Sequence, residues 1–138
     1  MTGKYRHGLD AKGRLAIPAK LREELGAAFY VTIGLGHSLM VLPEAAWAAI
    51  VEKQRSLPMA EAQKLRFFFA NALRCEPDKQ GRILLPQELR SYAHLTENAV
   101  ILGFGDKAEI WDQETYDRME QEFLTGGELD GVLSALEL

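Results

Sequence analysis

The chain has 138 residues, 47% hydrophobic and 26% charged, with a formal net charge of −4 and a pI near 5.4. That mix excludes a disordered chain, and the length suits one domain or two small units sharing a core. A single cysteine, Cys75, excludes an intrachain disulfide and a cysteine-rich metal site. In chain order, a basic strand that includes Arg6 is followed by a polar D-x-x-G turn at 10–13. The aliphatic run "RLAIP" is expected to be the second strand of a hairpin, with Gly13 taking the positive φ of the turn. Pro18 opens a short helix, "PAKLREEL". "FYVTI" and "SLMVL" are β-rich runs joined by a G-x-G reversal at 34–36. A helix then starts at Pro43-Glu44, with Trp47, Ile50 and Val51 on one face. Residues 48–72 form a connector that Pro58 breaks into two helical pieces. Leu65, Phe68 and Phe69 make it too apolar for a flexible linker, and it is expected to pack between two halves of the molecule.

The connector is needed because the chain repeats itself. "DAKGRLAIPAKLR" (10–22) returns as "DKQGRILLPQELR" (78–90) at a constant offset of 68. Farther on, "YVTIGLGHSLMVLPEAAW" (30–47) returns as "AVILGFGDKAEIWDQETY" (99–116) at an offset of 69, one residue having been gained. A repeat of this length overrides other topology guesses. In the second copy Asp112 is an N-cap ahead of Tyr116, Met119 and Phe123, and Gly126-Gly127 closes that helix. An acidic tail follows, with Leu129, Val132, Leu133 and Leu136 on one face. A four-strand unit of about 45 residues is too small to be stable alone, so two copies interdigitated about a pseudo-twofold axis are expected.

The repeated D-x-x-G-R-aliphatic-x-aliphatic-P pattern, followed by a short helix and a G-x-G hairpin, resembles the SpoVT/AbrB-type swapped-hairpin DNA-binding domain. Two copies, "GLDAKGRLAIPAKLREEL" and "CEPDKQGRILLPQELRSYA", with "RFFF" and "EIWD" around them, resemble the MraZ family along essentially the whole chain. The N-terminus departs from that pattern in lacking a phenylalanine just after the start. The resemblance implies an α+β fold: two pseudo-symmetric SpoVT/AbrB-like swapped-hairpin β units with flanking short helices in one compact body. The expected divisions are domain 1 at 4–47, the connector at 48–72, domain 2 at 73–116 and a helical acidic tail at 117–138. The resemblance also implies a bacterial transcriptional regulator at the promoter of the division and cell-wall gene cluster, acting as a ring-shaped homo-oligomer on repeated boxes of double-stranded DNA.

An acidic chain is at first sight a poor match for DNA, but its charge is segregated. Residues 1–22 carry six cations against Asp10 alone, a net +5, whereas 109–138 carry nine acids and one arginine. Local potential is what a polyanion meets. The candidate DNA-binding residues are therefore Arg14, Lys12, Arg6, Lys4 and His7 in the first copy and Arg82 and Lys79 in the second. Arg14 and Arg82 either grip phosphate or guanine, or tie their turns shut through Asp10 and Asp78. The first copy, in the more basic setting, is expected to touch DNA, and the second mainly to build the platform. Lys20 and Arg22 rank lower. Trp47, Trp111 and Phe67 to Phe69 are read as packing residues.

No catalytic frame, metal-ligand spacing or dinucleotide fingerprint stands in the chain. His7, His37 and His94 are far apart in sequence, and the acidic neighbour Glu76 is expected to raise the Cys75 pKa. The expectation is a non-enzymatic, cytoplasmic, nucleoid-associated repressor with no cofactor, no small-molecule substrate and no membrane segment; the N-terminus lacks the apolar run of a signal peptide. The alternative, motivated by the acidic leucine-bearing tail, is a protein-interaction or antitoxin-like assembly module with DNA binding secondary.

Overall fold

A computed structural model describes residues 1–138. The strands are β1 (Lys4–Gly8), β2 (Arg14–Ala16), β3 (Phe29–Ile33), β4 (Leu39–Pro43), β5 (Leu73–Cys75), β6 (Arg82–Leu84), β7 (Asn98–Phe104) and β8 (Lys107–Asp112). The helices are α1 (Ala19–Leu25), α2 (Glu44–Arg55), α3 (Met59–Ala62), α4 (Arg66–Ala70), α5 (Gln87–Tyr92), α6 (Gln113–Gly126) and α7 (Glu128–Ala135). Proline sets several boundaries, as its fixed φ and missing N–H favour: Pro18, Pro43, Pro58 and Pro86 cap α1, α2, α3 and α5. Asp112 caps α6 by accepting from the Thr115 N–H.

A six-stranded antiparallel sheet runs in the order β1-β7-β8-β4-β3-β5, and β2 pairs with β6 in a separate two-stranded ribbon. Only β3–β4 and β7–β8 pair within one copy of the repeat. The pairings β1–β7, β4–β8, β3–β5 and β2–β6 all join one copy to the other. The expected hairpin of β1 and β2 is thus reduced to a single Leu9–Leu15 bridge, because each arm finds its ladder on the opposite copy. Neither half has a complete sheet alone, which is why the unit occurs twice.

The ribbon and the sheet sandwich one core. Leu15, Ile17, Ile83 and Leu85 from the ribbon and its flanks meet Leu21, Leu25 and Leu89 from α1 and α5, and Phe29, Val31, Leu39, Val41, Ile101 and Ile110 from the sheet. Fully burying such side chains contributes about 1.5–3 kcal/mol each. The other face of the sheet carries a smaller cluster of Val100, Trp111 and Tyr116, with α6 lying over it. Burial, rather than the neighbouring Glu76, pushes the Cys75 thiol up to about 11.

The connector departs from expectation. Trp47 stacks on Tyr30 at 4.5 Å between ring centroids and meets Phe68 and Phe69 at 5.9 and 5.4 Å. Buried Thr32 donates to the Phe68 carbonyl at 2.6 Å. The aromatic connector therefore covers the first half from outside instead of wedging between halves; direct β4–β8 pairing already fills the middle. No helix is long and apolar enough to cross a membrane.

Candidate nucleic-acid interface

The two D-x-x-G-R turns are built alike, and each needs its aspartate. Asp10 Oδ1 accepts from the backbone N–H of Lys12 and of Arg14, both at 2.9 Å, and Oδ2 accepts from Arg14 Nε at 2.6 Å. Asp78 repeats this with the N–H groups of Gln80 and Arg82 at 2.9 Å and Arg82 Nε at 3.0 Å. These bonds favour the ionised carboxylates. The Arg14 N–H, ahead of the Arg14 guanidinium and the Lys12 N–H, holds Asp10 down at about 2, and Asp78 is lowered in the same way by Arg82 first.

The glycines have two reasons to be glycine. Gly13 and Gly81 sit at φ of +84° and +78°, in the left-handed region. A Cβ at Gly13 would also lie 2.7 Å from Arg90 Nε, and one at Gly81 2.7 Å from Arg22 Cζ. Each guanidinium comes from the opposite copy and is held by its own Nε, Arg22 on the Ile17 carbonyl and Arg90 on the Leu85 carbonyl, both at 2.9 Å. Arg22 and Arg90 are thus the struts that lock each turn against the other half.

The two turns deliver their arginines to one surface. In the ribbon, Arg14 pairs with Leu84, Leu15 with Ile83, and Ala16 with Arg82. Leu15 and Ile83 point into the core, so Arg14, Ala16, Arg82 and Leu84 form the outward face. Arg82 Nη1 comes within 3.8 Å of the Asp10 oxygen that holds Arg14. Arg14 and Arg82 are bound to their aspartates through Nε, and their side chains remain 34% and 30% exposed. Tying the turn and presenting the guanidinium fork are therefore compatible roles for one residue. A cleft of about 420 Å³ beside the ribbon is lined by Arg14, Arg82, Arg74, Glu76 and Asp78, among others. Lys12 and Lys79 stand exposed at the two turn tips.

The remaining basic candidates lie elsewhere. Lys4 pairs in register with Leu102 and Arg6 with Val100, so both lie on the sheet face covered by α6 and away from the ribbon. Arg6 grips Asp117 through both Nη groups at 2.7 and 3.1 Å, and Lys4 Nζ lies 2.9 Å from Glu120. The six cations of residues 1–22 therefore do not make one basic face. His7 is half-buried on the opposite side of β1 from Lys4 and Arg6, in register with Ala99. Arg74, at the position in the repeat matching Arg6, is likewise captured by a helix start of the other copy, Glu44 at 3.1 Å, and by Glu76 at 2.7 Å.

Three residues outside the sequence candidates lie on the ribbon face or in its cleft: Leu84, 58% exposed on the ribbon, its neighbour Ala16, and Arg74 in the cleft. The alternation of "RIL" around core-facing Ile83 was the signal for Leu84. Of the three histidines, His37 and His94 are brought together, with rings 5.2 Å apart, contrary to their separation in sequence. His37 Nδ1 hydrogen-bonds the Tyr92 carbonyl, and no group of three or more His, Cys, Asp or Glu side chains is gathered for a metal ion.

Comparison with known proteins accounts for the duplication. The family model described as "MraZ protein, putative antitoxin-like" matches residues 1–67 and again residues 68–127. The chain is 51% identical over 117 residues to the "Transcriptional regulator MraZ" of Carboxydothermus hydrogenoformans, covering 83% of this chain and 82% of that protein. It is 48% identical over 119 residues to the protein of the same name from Desulforamulus reducens, with 84% of each chain covered. The Moorella thermoacetica protein of that name is 48% identical over 118 residues, 83% of this chain and 82% of its own. A duplicated turn, a shared sheet and two matches to one family model in tandem lead to one conclusion: the chain belongs to the MraZ family of transcriptional regulators and carries the family's domain twice.

Proposed function

We propose that the protein is a sequence-specific DNA-binding repressor that uses the outward face of the β2–β6 ribbon to read repeated boxes in the promoter of the division and cell-wall gene cluster. The observation that carries this reading is the convergence of Arg14 and Arg82, from opposite copies of the repeat, on one exposed two-stranded ribbon. The major groove of B-DNA admits such a ribbon, arginine grips guanine bidentately, and small apolar side chains such as Ala16 and Leu84 suit the thymine methyl. Lys12 and Lys79 flank the ribbon as phosphate contacts, which position without specifying. Lys4, Arg6 and His7 contribute at most at long range. Residues 4–47 and 73–116 thus supply one reading head jointly, and the second copy is more than a platform.

One ribbon offers few contacts, so affinity per chain is modest and falls with salt. A ring-shaped homo-oligomer supplies the rest by engaging neighbouring boxes at once. In this reading the protein works in the cytoplasm, at the nucleoid. A footprint on the DNA upstream of the protein's own gene tests it: protection of repeated boxes, lost in the Arg14→Ala, Arg82→Ala double variant, is expected. Absence of protection at any duplex there sinks the reading.

The second reading, an antitoxin-like assembly module, is favoured by the exposed apolar face of α7 and by the wording of the family description. Under it, the double variant leaves every partner interaction intact.

A further inference from the structure

Two apolar surfaces of this chain have no partner within it. The first is α7, none of whose residues is buried. Leu129, Val132 and Leu136, at helical spacing, are 41%, 58% and 63% exposed and form one stripe. Residues 128–138 carry Glu128, Asp130 and Glu137 and no cation, a net −3. The second is a groove of about 600 Å³ where α2 turns into α3 and α4, lined by Arg55, Leu57, Met59, Arg66 and Phe69 among others. Leu57 and Met59 are 41% and 74% exposed there. Its rim is basic: residues 52–66 carry four cations against Glu52 and Glu61, a net +2. Arg55 and Lys64 make only exposed helical pairs with Glu52 and Glu61, of the kind worth a few tenths of a kcal/mol, and Lys53 and Arg66 make no ion pair in the chain. Scattered apolar residues on a surface mean little, but an apolar stripe with an acidic border and an apolar groove with a basic rim are complementary.

We infer that α7 of one copy docks in the α2–α3 groove of a second copy, with Leu129, Val132 and Leu136 against Leu57 and Met59 and the acids of α7 beside Arg55 and Arg66. The inference deepens the proposed self-association by naming its contact. The two patches are different surfaces of the same chain, so the contact is heterologous, the kind that closes into rings. It also uses two places that correspond in the repeat: α3 follows α2 as α7 follows α6, and one bend carries the groove while the other carries the helix that fills it.

Mixed cross-linking tests the contact. Two full-length chains, each carrying Cys75→Ser, are made with Met59→Cys in one and Val132→Cys in the other. Under a mild oxidant the mixture is expected to give a two-chain disulfide product that neither chain gives alone. In parallel, light scattering on Val132→Asp is expected to show a smaller mass than the unaltered protein. Its circular-dichroism spectrum should be unchanged, since Val132 is exposed and supports no core. Arg66→Glu should also lower the mass, and Glu128→Arg in the same chain should restore it. An oligomer whose mixture fails to cross-link overturns this contact while leaving self-association intact. Cross-linking of the Val132→Cys chain to itself, or within one chain carrying both cysteines, assigns the helix to another site and overturns it too. A one-chain mass for the unaltered protein overturns both this contact and the ring.

Discussion

The two D-x-x-G-R turns have nearly the same backbone and quite different surroundings. Both aspartates accept two N–H groups and an arginine Nε, both glycines are left-handed, and both are braced by an arginine from the other half. Around that shared frame the charges diverge. Lys12 at the first tip corresponds to Gln80 at the second, whose lysine, Lys79, stands one residue earlier, and Asp10 draws in Arg82 as well as Arg14, whereas Asp78 holds Arg82 alone. The first turn is thus the meeting point of both arginines. The copies share the frame of the turn and its arginine, and they differ in the charges set around it.

The shared part is the easiest to break. Gly13→Ala and Gly81→Ala each force a Cβ into the left-handed region and against a guanidinium of the opposite half. Each should cost about 1–3 kcal/mol in denaturant unfolding, with similar losses for the two. A loss confined to Gly13 would show that the halves do not brace each other reciprocally. Acid titration comes next. Asp10 has a folded pKa near 2, below its ordinary 3.8, so its contribution to stability is present above that ordinary value and disappears as pH falls toward 2. Carboxyl NMR should give a midpoint near 2 for Asp10, and Asp10→Asn should flatten the acid limb of the stability curve.

The unshared part predicts smaller effects on binding. Lys12→Ala should lower the slope of log affinity against log salt by about one, and Gln80→Ala should leave it alone. Equal changes would erase the asymmetry of the tips. The smallest effect is expected on the far face. Asp117→Ala with Glu120→Ala frees Arg6 and Lys4, but these lie across the sheet from the ribbon, where screening over about 8 Å at physiological salt mutes them. DNA affinity should change less than about twofold; a tenfold gain would mean that β1 belongs to the interface.

What the sequence disclosed was local chemistry. The D-x-x-G turns, the proline-led helices, the Pro58 break and the Asp112 cap follow from backbone geometry within a few residues, and each stands where it was read. Pairing across the halves was not local. Nothing in "RLAIP" alone says that Leu15 will face Ile83 rather than close a hairpin on β1; the swap follows from the repeat, whose single unit is too small to stand alone, and from the family resemblance. The basic cluster misled for the same reason: Arg6 and Asp117 are 111 residues apart, and only the sheet order puts α6 over β1. Arg22, ranked low as a DNA contact, has its own task on Gly81, again across the halves. The aromatics of the connector demand burial, and a sequence does not show on which side: Tyr30 and Trp47 supply it on the first half alone.

The central claim is that Arg14 and Arg82 act together on one ribbon. Fluorescence anisotropy on a duplex from the protein's own promoter, titrated with salt, tests it most directly. Arg14→Ala should weaken binding about tenfold to a hundredfold, as loss of a bidentate base contact does, and Arg82→Ala should weaken it less but measurably. The double variant should retain only the shallow, sequence-independent component. Unchanged affinity in the double variant, or full loss from Arg14→Ala with none from Arg82→Ala, would contradict the account.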